Sequence, residues 1–259
     1  MLDIYKFSEI EMLGFILVFL RTLAFFVSWP IFSSENVPVP VKVLSALVVS
    51  FVLFPLVGWN KLSIGIDSNY IILLAMKEVI LGLSIGFLCR LFFFALAIAG
   101  QIIAVSMGLT SGQLFNPSLN MEGSSVEQFK VMLGSLFFLF INGHHFFISG
   151  LLRTFELVPI TKLTLDFSAM NQMSIVVTQV TVIGIKMAAP VMVSVLFMNL
   201  AMGIIGRAVP QINVLVTSMP VNILVGFATL ALALPLFVHE IQDLLSLMTT
   251  KVFEIVRTF

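Results

Sequence analysis

Three observations predict an all-α chain built for an apolar surround. Of its 259 residues, 59% are hydrophobic and only 10% charged, where soluble domains average about 45–50% and about 25%. Uncharged runs such as residues 187–206 and 208–238 reach or exceed the ~20 residues that a helix needs to cross a hydrocarbon core. Those runs outlast an ordinary strand and carry no period-two alternation. A soluble core could not hide all of them.

Breakers divide the chain into three helical hairpins, giving about six long arms. The first, 12–59, has arms Met12 to Phe32 and Val43 to Trp59, parted by "SSENVPVPVK", where Pro38 and Pro40 remove backbone donors and forbid a continuous helix. The second, 70–152, opens around a connection at 106–125. The third, 172–238, is interrupted by "GRAVPQIN", with Gly206 and Pro210 supplying the break. The arm from Ile71 to Val105 would be ~50 Å long against a ~30 Å hydrocarbon core. It and the similar run 172–206, with Pro190 inside, must kink or project from the bilayer against other protein.

Charges inside the arms point the same way. Arg21, Lys77, Glu78, Arg90 and Lys186 fall in helical stretches, and a charge at mid-membrane costs at least ~2.5 kcal/mol. These side chains should not face lipid. Glu78, Gly82, Gly86 and Arg90 recur every four residues, so they form a drifting stripe that lets a neighbouring helix approach closely. That neighbour is either a subunit of another chain or a helix of this one, with Lys77 reaching for an interface. Lysines and arginines at the arm ends are too evenly divided to set an orientation.

The 108–125 connection, "GLTSGQLFNPSLNMEGSS", carries one charge, Glu122, and no Lys or Arg occurs from Leu91 through Phe129. Gly108, Gly112 and Pro117 suit unusual dihedrals. Ser111, Gln113 and Asn116 tolerate water without selecting a charge sign, and Thr110 lies in the same stretch. Leu109, Leu114, Phe115 and Met121 are able to form a dewetting constriction.

Other chemistry is set aside. Thirteen basic and thirteen acidic residues cancel, leaving no basic footprint for nucleic acid. Cys89, the lone cysteine, excludes a disulfide framework or thiol cluster within the chain. "HEIQD" has Asp243 where a zinc-protease helix needs its second His, and no Gly-Lys-Ser/Thr phosphate loop occurs. His144 and His145, adjacent on a helix, point about 100° apart and cannot jointly grip one ion. No catalytic, cofactor or metal constellation is expected, and the acidic start of the chain lacks the basic n-region of a signal peptide.

Three stretches carry a family likeness. They are "FLRTLAFFVSWPIFSSENVPVPVKVLSALVVSFVLFP", "KEVILGLSIGFLCRLFFFALAIAGQIIAVSMGLTSGQLFNP" and "AAPVMVSVLFMNLAMGIIGRAVPQINVLVTSMPVNILVG". By the order and spacing of their glycines, prolines and charges, the whole chain resembles the FliR-like family of the bacterial type III secretion export gate. One departure is Asn116, where the family commonly has an acidic residue before Pro117.

The resemblance implies a non-enzymatic subunit of the flagellar protein export gate in the bacterial inner membrane and basal body. It implies FliP-like and FliQ-like partners in a helical funnel, a FlhB-like protein at the cytosolic mouth, and unfolded flagellar proteins in transit. Parts of the chain would stand above the membrane on the periplasmic side. Gly108 to Asn120 would be a plug projecting into the pore. An injectisome homologue and a small-solute transporter or channel are the alternative readings, and an intramembrane enzyme lacks paired catalytic groups.

Overall fold

The computed structural model describes residues 9–33, 37–57, 68–110, 124–160, 168–211 and 213–257. Among these the chain is all-α, without a strand. The elements in order are α1 (Glu9–Ser28), α2 (Pro30–Ser33), α3 (Val39–Leu53) with a 3₁₀ turn at Phe54–Leu56, α4 (Ser68–Ser106), α5 (Ser125–Phe140), α6 (Gly143–Leu157), α7 (Ser168–Ala208), α8 (Val214–Leu232) and α9 (Leu234–Arg257).

The breakers act where expected. Pro38 caps α3 and Pro40 lies in its first turn, where a missing N–H leaves no carbonyl unserved. Asn213 caps α8, its side-chain oxygen accepting from the Val216 N–H at 3.4 Å. The two over-long arms are single helices. α4 has 39 residues and α7 has 41, with Pro190 inside α7, so at 1.5 Å per residue they measure about 58 and about 61 Å.

Two breaks fall inside arms that the sequence reading runs through. The arm after the 107–124 connection stops at Ile141 and Asn142, and Asn142 takes φ 56°, a left-handed conformation that Asn tolerates better than most residues. The last arm is bent by 61° between α8 and α9. Pro235 stands in the first turn of α9, where its ring blocks continuation of the preceding helix. α9 then runs on to Arg257, well past Val238.

Four helices are long and apolar enough to cross a membrane (Glu9–Ser28, Val39–Leu56, Tyr70–Ser106 and Asn171–Ala208), and counting each bent pair as one span raises the number to six. Only 17% of the Val39–Leu56 window and 22% of the Asn171–Ala208 window are buried within the chain, against 61% for Tyr70–Ser106. The outward faces of α3 and α7 are therefore largely uncovered apolar surface.

The chain forms two compact units, Met1–Leu91 with His144–Val176 and Leu247–Phe259, and Phe92–Gly143 with Val177–Ser246. In the first, α1 packs on α3 through Phe15, whose ring lies 4.7 Å from Phe51 and 5.6 Å from Phe54. Phe25, Phe26, Trp29 and Phe32 form one aromatic cluster around the end of α1. In the second, Ile103, Ala104 and Met107 of α4 and its extension meet Val126 of α5, Ala188, Val191 and Val195 of α7, and Leu230 of α8 in one core.

Candidate functional site

The connection between α4 and α5, residues 107–124, is longer than the ~2–8 residues usual between bundle helices, and both of its roots are built with care. At the first, Gly108 takes φ 79°. Its N–H donates to the Val105 carbonyl at 3.0 Å, and the Leu109 N–H donates to the Ala104 carbonyl at 3.0 Å. This pair of bonds is a Schellman stop, which satisfies the last carbonyls of α4 and turns the chain out of the helix axis. At the second root, Ser124 and Glu127 form a capping box: Ser124 Oγ accepts from the Glu127 N–H at 3.0 Å, and Glu127 Oε2 accepts from the Ser124 N–H at 3.4 Å.

Glycines hold the two roots close. A Cβ on Gly100 of α4 would stand 2.4 Å from the Glu127 Cα, and one on Gly134 of α5 would meet Leu96 at 2.2 Å. A Cβ on Gly226 of α8 would press on Met107 at 2.5 Å. The backbones of α4 and α5 thus touch directly beneath the connection. Beside its first root, a cleft of about 270 Å³ is lined by Ser106, Met192, Val193, Val195, Leu196 and Asn199. Asn222 of α8 donates to Asn199 of α7 at 2.8 Å and ties those helices at the same level.

Of the predicted loop residues, Gly108 and Thr110 are half-buried and Leu109 is exposed. Ser111, Gly112, Gln113, Leu114, Phe115, Asn116, Pro117 and Met121 lie outside the described residues. The Ser124–Glu127 box was readable as Ser-x-x-Glu ahead of an apolar run, and the sequence reading passes over it.

The stripe on α4 divides. Glu78, Gly82 and Gly86 are buried while Arg90 is exposed. Four-residue steps rotate by about 40° each, so Arg90 has turned about 120° away from Glu78. What fills the buried part is α1 of the same chain: a Cβ on Gly82 would stand 2.3 Å from the Arg21 carbonyl oxygen, and one on Gly86 would meet Ser28 Oγ at 1.8 Å.

That close approach delivers Arg21 to Glu78. Both are fully buried, and the guanidinium grips the carboxylate in a fork, Nε to Oε2 and Nη2 to Oε1 at 3.0 Å. Arg21 also donates to Thr154 Oγ1 at 3.2 Å and the Val158 carbonyl at 3.0 Å, and lies 4.1 Å over the Phe155 ring. Lys77 does not reach an interface; it is fully buried. Its amine lies 3.0 Å from Glu78 Oε1 and donates to the carbonyls of Pro159 and Ile160 at 3.1 and 3.3 Å. Among the described residues the network sets two cations on one anion, and the carbonyls just past the end of α6 accept from both cations. The network holds α1, α4 and α6 together.

His144 and His145 open α6 with rings 4.2 Å apart in a T-shaped arrangement, and no group of three or more potential metal ligands occurs among the described residues. With this geometry in place, the match to known proteins is direct. Residues 12–248 fit the family described as bacterial export proteins, family 1. The chain belongs to that family. A protein named flagellar biosynthetic protein FliR in Bacillus subtilis is 30% identical over 90% of this chain and 91% of its own length. Proteins of the same name in Escherichia coli and Caulobacter vibrioides are 30% and 31% identical, over 88% and 84% of this chain and 86% and 87% of theirs. The family 1 match takes in both roots of the 107–124 connection and the Arg21–Lys77–Glu78 network.

Proposed function

We propose that residues 107–124 close a protein-conducting passage until an unfolded protein is threaded through it. The chain is a subunit of the flagellar type III protein export gate, an inner-membrane component of the flagellar export apparatus. Its role is structural, forming and sealing the passage without catalysis of its own. FliP-like and FliQ-like subunits surround it in a helical funnel, a FlhB-like subunit sits at the cytosolic mouth, and parts of α4 and α7 stand above the membrane on the periplasmic side.

The observation that carries the closure is the pair of roots: a Schellman stop at Gly108 and a capping box at Ser124, standing on one shared core. Between them runs a segment with one charge, so passing chains of either polarity meet no fixed ion. The uncovered faces of α3 and α7, and the exposed cations Arg90 and Lys186 within apolar helices, are what a chain enclosed by sister subunits would present. Deleting Gly108 to Asn116 should make membranes carrying the assembled gate leaky to small ions. Unchanged conductance with the gate still assembled would refute the closure.

A further inference from the structure

The bent α8–α9 pair carries one root of the 107–124 connection on each limb. Its 61° turn falls at Ala233, between Leu232 and Leu234. On the α8 limb, Gly226 lies against Met107, next to the Gly108 stop, where a Cβ would stand 2.5 Å from the Met107 side chain. On the α9 limb, Phe237 meets Lys130 of α5, whose ammonium lies over the ring at 3.7 Å from its centroid. Lys130 follows Ser124, the cap at the other root, by about 9 Å along the helix. Between the limbs stands the α4–α5 stem, packed closely at Gly100 and Glu127. All of these residues belong to the second compact unit.

The two seats differ in kind. Met107 sits in an apolar core with Leu230 of α8. Lys130 is only 4% exposed, yet its ammonium makes no hydrogen bond or salt bridge among the described residues. It is held by the face of the Phe237 ring and by the field of Glu240. Phe237 and Glu240 are three residues apart and share one face of α9. Glu240 Oε2 is buried and receives no hydrogen bond from the described residues, and Lys186 of α7, His239 and Asp243 are the other charged or titratable groups acting on it. Arg21 and Lys77, by contrast, each bind their acceptors directly. We propose that Lys130, Phe237 and Glu240 are positioning residues for the closure: they seat the α9 limb on the α5 side of the stem, so that the bent pair holds the two roots at a fixed separation. This rests on the reading of 107–124 as a closure. With no direct bond at the second seat, its hold depends on the cation, the ring face and the carboxylate together.

The test measures the small-ion conductance of membranes carrying the assembled gate, with the mass of the solubilised particle as the control for assembly. Lys130→Leu, Phe237→Leu and Glu240→Gln remove in turn the cation, the ring face and the anion. Each should raise the conductance about threefold or more with the particle at its normal mass, while Lys130→Arg, which keeps a cation over the ring, should stay within about 1.5-fold of the unaltered chain. Unaltered conductance in either Lys130→Leu or Glu240→Gln would overturn the seat. Loss of the particle in both would overturn it too, because the residues would then serve assembly and not the closure. Deleting Gly108 to Asn116 separates the seat from the reading beneath it. A gate still tight after that deletion removes the closure itself, whereas a leaky deletion beside tight Lys130→Leu and Glu240→Gln variants removes only the seat.

Discussion

Glu78 is the residue on which the first unit turns. Removing one member of a buried ion network leaves its partners charged and unmatched, at a cost of about 3–5 kcal/mol. Glu78→Ala should therefore strip Arg21 and Lys77 of their anion and lower the thermal midpoint of the solubilised protein sharply, with Glu78→Gln falling less because it keeps hydrogen-bond acceptors. A loss below about 1 kcal/mol for the alanine variant would contradict the network. The glycines beside it make a second contrast. Gly82→Ala places a methyl 2.3 Å from the Arg21 carbonyl oxygen and should cost about 1–3 kcal/mol by pushing α1 off α4. Gly203→Ala meets nothing within 4 Å and should be neutral or gain about 0.5–1 kcal/mol in helix stability. Limited proteolysis in membranes ranks the two variants, and equal resistance would contradict the account. The stripe of small residues was legible in the sequence, but its occupant was not. Arg21 and Glu78 are separated by 57 positions, and no local pattern announces a contact of that span.

Among the elements, those ended by local chemistry were readable and those ended by conformation were not. Pro38 with Pro40, and Gly206 with Pro210, are dense breakers between oily arms. At Asn142 and Pro235 a single residue interrupts an otherwise uncharged run. The Asn142-Gly143 pair was the signal available there. α9 was missed for a different reason. Phe237, Ile241, Leu244, Leu245 and Met248 are buried on one face, a clear helical stripe, but the charges between them ended the uncharged run by which arms were recognised. The ends of the 107–124 connection belong to this scale too. Gly108→Ala forces a side chain into a left-handed conformation at a cost of about 1–2 kcal/mol, and Ser124→Ala removes a cap for about 1 kcal/mol. Either change should loosen the closure and raise the small-ion conductance of membranes carrying the gate, the double variant more than either alone. Conductance at the unaltered level in the double variant would separate the roots from the seal.

For the molecule as a whole, composition alone announced that the apolar surface exceeds what the chain itself covers. The long helices α4 and α7, at about 58 and about 61 Å, outreach a ~30 Å hydrocarbon core, and most of α3 and α7 stays uncovered by the chain's own side chains. Family membership supplies the setting for that surface, an export gate. The central claim is that sister subunits cover it around a conduit. The most direct measurement is the mass of the particle released by gentle solubilisation of the native membrane. A mass well above one chain with its detergent, carrying FliP-like and FliQ-like proteins together with this one, is the predicted result. A single chain alone in a lipid or detergent belt would contradict it.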